Sequence, residues 1–204
     1  MGALRTASES FVYLLYFPLF VSRGVTSKPC LISGGWLLVS SVVMKSSSPP
    51  YLPVKTSYRG ISSKQMLLTK SAMNELRSYL NFTQLRFNCR KQQGFTFHIT
   101  TVANSSGEAV VQYFSGQTDV QPDACGSFVK MSDDNSRLAR ACQKWGYPVG
   151  KWGYIMDEDR LYNHPVFILN AHHWIERWEG RWECDDRIPI ANLSPGDYWK
   201  VFVR

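Results

Sequence analysis

Two residue types in this chain carry chemistry by their spacing: cysteine, and the asparagine of an N-x-[ST] sequon. Cys30, Cys89, Cys125, Cys142 and Cys184 include no C-x-x-C pair, which excludes zinc-ribbon and thioredoxin-like sites and leaves disulfide bonding. In an oxidising compartment five thiols make two bridges and leave one over. Counting leaves three pairings open for each choice of the odd cysteine. The favoured scheme closes a short loop with Cys125–Cys142 and ties the first strand to a later hairpin with Cys30–Cys89. Cys184 is then the odd thiol, free or available for an intermolecular link that would make an oligomer. The sequons are Asn81-Phe-Thr83, Asn104-Ser-Ser106 and Asn192-Leu-Ser194, each an expected glycosylation site on an exported chain.

Acidic, imidazole and indole side chains supply the other candidates. Asp133, Asp134 and Asn135 are the best metal ligands, because calcium takes six to eight oxygens from carboxylates, amides and loop carbonyls. Adjacent side chains in extended backbone point apart, so convergence on one ion requires a turn; without it the segment is an acidic surface loop. Asp157-Glu-Asp159 and Asp185-Asp186 are the runner-up metal candidates, each read more readily as a solvated turn. His164, His172 and His173 could suggest zinc, but neighbours diverge on helix or strand, so structural histidines are the better reading. Trp174, Trp178 and Trp182, with Trp199, Tyr162 and Tyr198, could stack against sugar faces as a ligand platform or fill a core. Their spacing of four fits a helix, whereas Glu179-Gly180 fits a hairpin turn. GxSxG, HExxH, P-loop and GxGxxG patterns are missing from the sequence, so binding rather than catalysis is expected.

The elements that must position these residues follow from composition and period. The chain has 204 residues, 44% hydrophobic and 14% aromatic, enough for a packed core and too apolar for global disorder. Lys+Arg 23 against Asp+Glu 16 gives +7. The cations are scattered along the sequence, which does not point to nucleic acid. Arg5, the apolar run Phe11–Val21 and the small residues Ser22, Gly24 and Ser27 read as a secretory signal over 1–27, ahead of a secreted domain over 28–204. The apolar run is too short to span a bilayer and contains Pro18, so no stable membrane insertion is expected.

Gly34-Gly35 feeds an apolar strand running to Val43. Lys45 to Lys55, with Ser-Ser-Ser-Pro-Pro, is an irregular loop. Ser62 or Ser63 is a candidate cap for an amphipathic helix over about 69–80, with Met73, Leu76, Tyr79 and Leu80 on one face. Phe95–Val102 and Ala109–Phe114 alternate around Asn104-Ser-Ser-Gly107 and read as a β-hairpin. Arg137–Lys144 suits a helical turn, and Tyr198–Val203 a terminal strand. The fold class is α+β, a domain with a mainly antiparallel sheet, short helices and long loops.

Three motifs in order resemble the fibrinogen C-terminal domain and its intelectin-like relatives. They are Cys30 followed by Gly34-Gly-Trp-Leu-Leu-Val39; Met66-Leu-Leu-Thr69 followed by Asn74-Glu-Leu-Arg77; and Asp133-Asp-Asn-Ser136 followed by Cys142 and Trp145-Gly146. They cover roughly half of the chain after residue 27. The last third departs from the family, with Leu161–Phe167 and Trp182-Glu-Cys-Asp-Asp186 in place of its asparagine-glycine element. In these features the chain is similar to fibrinogen-like secreted proteins of reef corals, components of the skeletal organic matrix among them. The resemblance implies a secreted, extracellular glycoprotein of a biomineral matrix that binds and cross-links acidic polysaccharide or acidic matrix protein. The alternative it implies is a calcium-dependent lectin-like module that binds a glycan beside the Asp133 loop.

Overall fold

The computed structural model describes residues 31–32, 34–62, 64–155, 160–161, 166–168, 172–178, 181–186 and 193–204, with backbone alone at 31, 32, 177 and 178. The expected signal segment, Cys30, Asp157-Glu-Asp159, Tyr162, His164 and Asn192 lie outside the described residues.

Among the described residues, eleven strands and two α-helices are arranged as a mixed α/β fold whose sheets are mainly antiparallel. In chain order they are β1 (Leu31–Ile32), β2 (Trp36–Val43), β3 (Val54–Lys55), β4 (Leu67–Leu68), α1 (Lys70–Leu80), β5 (Leu85–Arg90), β6 (Thr96–Thr101), α2 (Ser105–Phe114), β7 (Phe128–Lys130), β8 (Val166–Phe167), β9 (His173–Trp178), β10 (Arg181–Asp186) and β11 (Tyr198–Val203). Short 3₁₀ turns occur at Tyr58–Gly60 and Ala139–Lys144. The principal sheet has the order β1-β2-β11-β5-β6-β7 and is antiparallel throughout. A second sheet, β10-β9-β8, is a hairpin plus one short strand, and β3 pairs with β4 in parallel. The hairpin reading of the tryptophan-rich segment therefore holds over the helical one.

Helix α1 begins where Thr69, rather than Ser62 or Ser63, caps it by accepting from Ala72 N at 3.2 Å. Its buried face is Ala72, Met73, Leu76 and Arg77, while Tyr79 and Leu80 point outward at 61% and 46% exposure. Tyr79 instead stacks on Tyr58 at 5.3 Å. The buried Arg77 guanidinium joins α1 to α2 through Glu108 at 2.7 Å.

The largest departure from expectation is at Ala109–Phe114, which is helix and not the return strand of a hairpin. Gly107, Val110, Val111 and Phe114 are all buried, the i, i+3, i+4, i+7 pattern of one helical face. Asn104 caps α2, its side chain accepting from Ser106 N and Gly107 N at 3.0 and 3.3 Å. Gly107 is required by packing: a Cβ there would lie 1.8 Å from the Val102 carbonyl oxygen. The Asn-Ser-Ser-Gly signature thus opens a helix tight against the end of β6.

The core lies between the inner face of the principal sheet, the two helices and the second sheet. Phe87 meets Phe114, Trp152 and Trp174 at 5.3, 5.2 and 6.0 Å. Trp145 stacks on Phe128 at 4.8 Å and meets Trp152 edge-on at 4.9 Å. Trp145 Nε1 donates to Leu138 O and Trp152 Nε1 to Ser127 Oγ, both at 2.8 Å, so these buried indoles keep their polar edge satisfied. No helix among the described residues is long and apolar enough to cross a membrane.

Candidate functional site

Sulfur chemistry comes first, because it fixes what the rest of the chain can do. Cys125 and Cys142 are bridged, with Cα atoms 5.2 Å apart. Cys89 is bridged to Cys184 across a Cα separation of 6.0 Å, and not to Cys30. The reason lies in strand phase. Cys89 faces inward on β5, opposite Trp199 of β11, and Trp199 Nε1 donates to Glu183 O at 2.8 Å, which seats β10 under that position. Cys184 is fully buried, so it is neither a free thiol nor an intermolecular link.

The Cys125–Cys142 loop carries Asp133, Asp134 and Asn135, and each side chain has its own protein partner. Asp133 Oδ1 lies 2.6 Å from His98 Nδ1. Asp134 accepts from His98 N at 2.8 Å, from Ser136 N at 3.2 Å and from Ser136 Oγ at 3.1 Å, with Lys130 Nζ at 3.3 Å. Asn135 accepts from Thr96 N at 2.9 Å and donates to Gly94 O at 2.7 Å. These contacts staple the loop to β6. The three oxygens answer different donors, and no group of three or more His, Cys, Asp or Glu able to hold a metal occurs among the described residues.

The proposed indole platform is corrected by burial. Trp174 and Trp182 are 0% and 2% exposed. Trp174 packs on Phe97 at 5.7 Å and Trp182 on Trp199 at 5.6 Å. They are core, leaving no indole face there for a sugar. Trp178 ends β9, with its side chain outside the described residues.

Beneath the second sheet lies a group of buried ionisable residues that sequence reasoning missed. Asp185 and Asp186 are not solvated turn residues. Asp185 accepts from Arg137 N and Leu138 N at 2.8 and 2.6 Å, and burial raises its carboxyl despite those donors. Lys91 Nζ, fully covered, sits 3.2 Å from Asp197 and 3.6 Å from Asp186. Glu183 accepts from Nε and one terminal nitrogen of Arg181 at 2.8 and 2.9 Å, yet burial pushes its carboxyl up to about 7. Glu176 is wholly buried with neither oxygen hydrogen-bonded, and burial raises it well above the ordinary carboxyl range.

His173 Nε2 lies 3.9 Å from Glu183, and His172 Nδ1 lies 3.0 Å from Asp185 O. The adjacent histidines therefore face different acids, His172 lying 3.7 Å from Asp185 Oδ1. A raised carboxyl beside an imidazole has the chemistry of a general acid. Glu176, Glu183 and His173 are, however, at most 1% exposed, so these groups are closed off from solvent.

Two sequon asparagines are placed at the surface. Asn81, with φ of 50°, caps the end of α1, and Asn104 caps the start of α2; both are exposed.

Open chemistry lies on the outer face of the principal sheet. Strand alternation turns Leu85, Phe87 and Cys89 inward and Arg86, Asn88 and Arg90 outward. The register sets Phe202, Lys200 and Tyr198 of β11 opposite these three in turn, with Thr100, His98 and Thr96 of β6 on the other side. Trp36 closes one end with Leu38, Met66 and Phe202. The guanidinium carbons of Arg86 and Arg204 lie 4.1 and 4.7 Å from the Trp36 ring centre. Arg86 is held below its ordinary pKa, by burial first and then by Arg204, while Asp133 pulls the other way. Lys200 Nζ lies 4.7 Å from the Tyr198 ring. The sequence signal was present in Leu85-Arg-Phe-Asn-Cys-Arg90, a strict in-out alternation with both arginines on the same phase; a count of charges along the chain averages it away.

Set against family models, curated proteins and solved structures, the chain matches none of them.

Proposed function

We propose that this chain is a secreted, disulfide-bonded glycoprotein of an extracellular or skeletal organic matrix, with a fibrinogen-like recognition domain that works by binding and cross-linking. The observation that carries the reading is the pair of bridges, Cys89–Cys184 in the core and Cys125–Cys142 nearer the surface. Such bonds form and persist in oxidising compartments. Exposure of Asn81 and Asn104 at helix ends supports glycosylation, since the acceptor must be reachable. Binding is favoured over catalysis because the acids and histidines with perturbed surroundings are sealed inside, whereas the exposed cations face solvent. The basic balance of +7 suits acidic polysaccharide or acidic matrix protein as the partner.

The second reading, a calcium-dependent lectin, is favoured by one observation: a disulfide brackets the Asp133–Asn135 loop. Calcium there would have to displace the Thr96, His98 and Ser136 donors that now hold the loop.

The test is expression of the full chain in secreting cells, with glycosidase treatment of the recovered protein and a glycan array read with and without chelator. The matrix reading expects release into the medium, glycosidase-sensitive mass on Asn81 and Asn104, and no chelator-sensitive glycan preference. Retention in the cytosol without glycan contradicts it, and chelator-sensitive binding to one glycan selects the lectin.

A further inference from the structure

We propose that the outer face of the principal sheet is a binding surface for an acidic polysaccharide, one carrying sulfate or carboxylate groups on successive sugars. This rests on the extracellular binding role above and names the surface that performs it.

Charge is the first argument. Arg86, Arg90, Lys200 and Arg204 gather on this face, and none makes an ion pair with a carboxylate among the described residues, where the other ion pairs are formed by different cations. Asp133, on the same side, is engaged with His98. Two guanidinium groups held on one indole repel each other, and an anion placed between them relieves that repulsion.

Polar satisfaction is the second. Asn88 Oδ1 and His98 Nε2 are covered and lack hydrogen-bond partners, and the two residues are paired across β5 and β6 on this face. Both side chains are only partly buried, so a rotation that brings these atoms to the surface would let sugar hydroxyls, which both donate and accept, complete them.

Shape is the third. The cations lie on adjacent strands, about 4.8 Å apart across the sheet, and Arg86 and Arg90 are separated by about 13 Å along β5. An extended chain laid on the sheet reaches all of them, whereas a compact anion reaches one or two. Trp36 is 2% exposed beneath its two arginines, so no free indole face awaits a nucleobase, which argues for a glycan over single-stranded nucleic acid.

The experiment titrates the secreted full chain with heparin, with alginate and with neutral dextran of matched length; a DNA oligonucleotide and anionic phospholipid vesicles are the competing probes. The variant is Arg86→Gln/Arg90→Gln/Lys200→Gln. Its control, Lys55→Gln/Lys64→Gln/Lys144→Gln, removes the same charge elsewhere. Heparin and alginate arms separate sulfate from carboxylate recognition. We expect salt-sensitive binding to at least one acidic glycan and none to dextran. The face variant should lose about tenfold or more in affinity while the control stays near native. Equal loss in both variants, tighter binding to DNA or vesicles, or no acidic-glycan binding overturns the proposal. Should the triple variant misfold, Lys200→Glu, a single change near the middle of the face, is read by the same criterion. A chain that is secreted and glycosylated yet ignores acidic glycans refutes the surface and leaves the secreted reading standing; a chain that binds them but is cytosolic does the reverse.

Discussion

Cys184 is bonded to Cys89, so the β9–β10 hairpin is fastened to β5, next to the centre of the principal sheet. The bridge spans 95 residues of sequence, whereas Cys125–Cys142 spans 17. Loop-entropy scaling assigns about 4.7 kcal/mol to a loop near the first length and about 3 kcal/mol to one near the second. Cys89→Ser/Cys184→Ser should therefore cost more in urea unfolding than Cys125→Ser/Cys142→Ser. Equal midpoints would show that the long bridge does not constrain the unfolded chain.

Stability should fall as pH rises through neutrality. Glu183 is raised from 4.5 to about 7 and Glu176 is raised well above its ordinary value, both chiefly by burial; Asp185 and Asp186 are raised too. A carboxyl whose folded pKa exceeds its unfolded one binds more protons when folded, so its contribution is complete below about 4.5 and is lost as pH climbs towards the folded value. Each such group contributes a slope of about 1.4 kcal/mol per pH unit between its two pKa values. Urea midpoints from pH 4.5 to 8 should decline, and Glu176→Gln should flatten the decline. A native profile that rises over this range would contradict the burial of Glu176.

Lys91 is the shared cationic partner of two acids, Asp197 at 3.2 Å and Asp186 at 3.6 Å. Lys91→Met leaves buried carboxylates uncompensated and should destabilise by about 3–5 kcal/mol. Asp197→Ala should cost a similar amount, since Asp197 also accepts from Gln92 N at 2.7 Å and Ser194 N at 3.0 Å. Thermal unfolding of both variants checks this; a loss under about 1 kcal/mol would mean the pair is not buried.

Asn104 has two separable roles. Asn104→Asp keeps a capping acceptor but removes the sequon, so stability should stay near native while any glycan mass at that site disappears. Asn104→Ala loses both and should cost about 1 kcal/mol. Intact mass and urea unfolding of the two variants separate glycosylation from capping.

Much of the scaffold was legible in sequence because its patterns are local. The strand after Gly34-Gly35, helix α1, the Cys125–Cys142 loop and the Tyr198–Val203 strand follow from period, caps and short loop closure. The second helix was misread because Ala109–Phe114 satisfies period two and period 3.6 together, and only the close approach of Gly107 to Val102 selects the helix. The partner of Cys89 depended on where the last sixty residues return, which no local pattern encodes. For the same reason the acids of β10 looked solvated. Asp133, Asp134 and Asn135 share one loop, but their partners come from β6, some 35 to 40 positions away. The cations of the open face come from β5, β11 and Arg204, over a hundred residues apart, and become neighbours only through the register.

The most direct test of the account is peptide mapping, under non-reducing conditions, of the full chain expressed in secreting cells. It should recover Cys89 linked to Cys184 and Cys125 linked to Cys142. Recovery of Cys184 as a free thiol, or of all the thiols reduced, would contradict it.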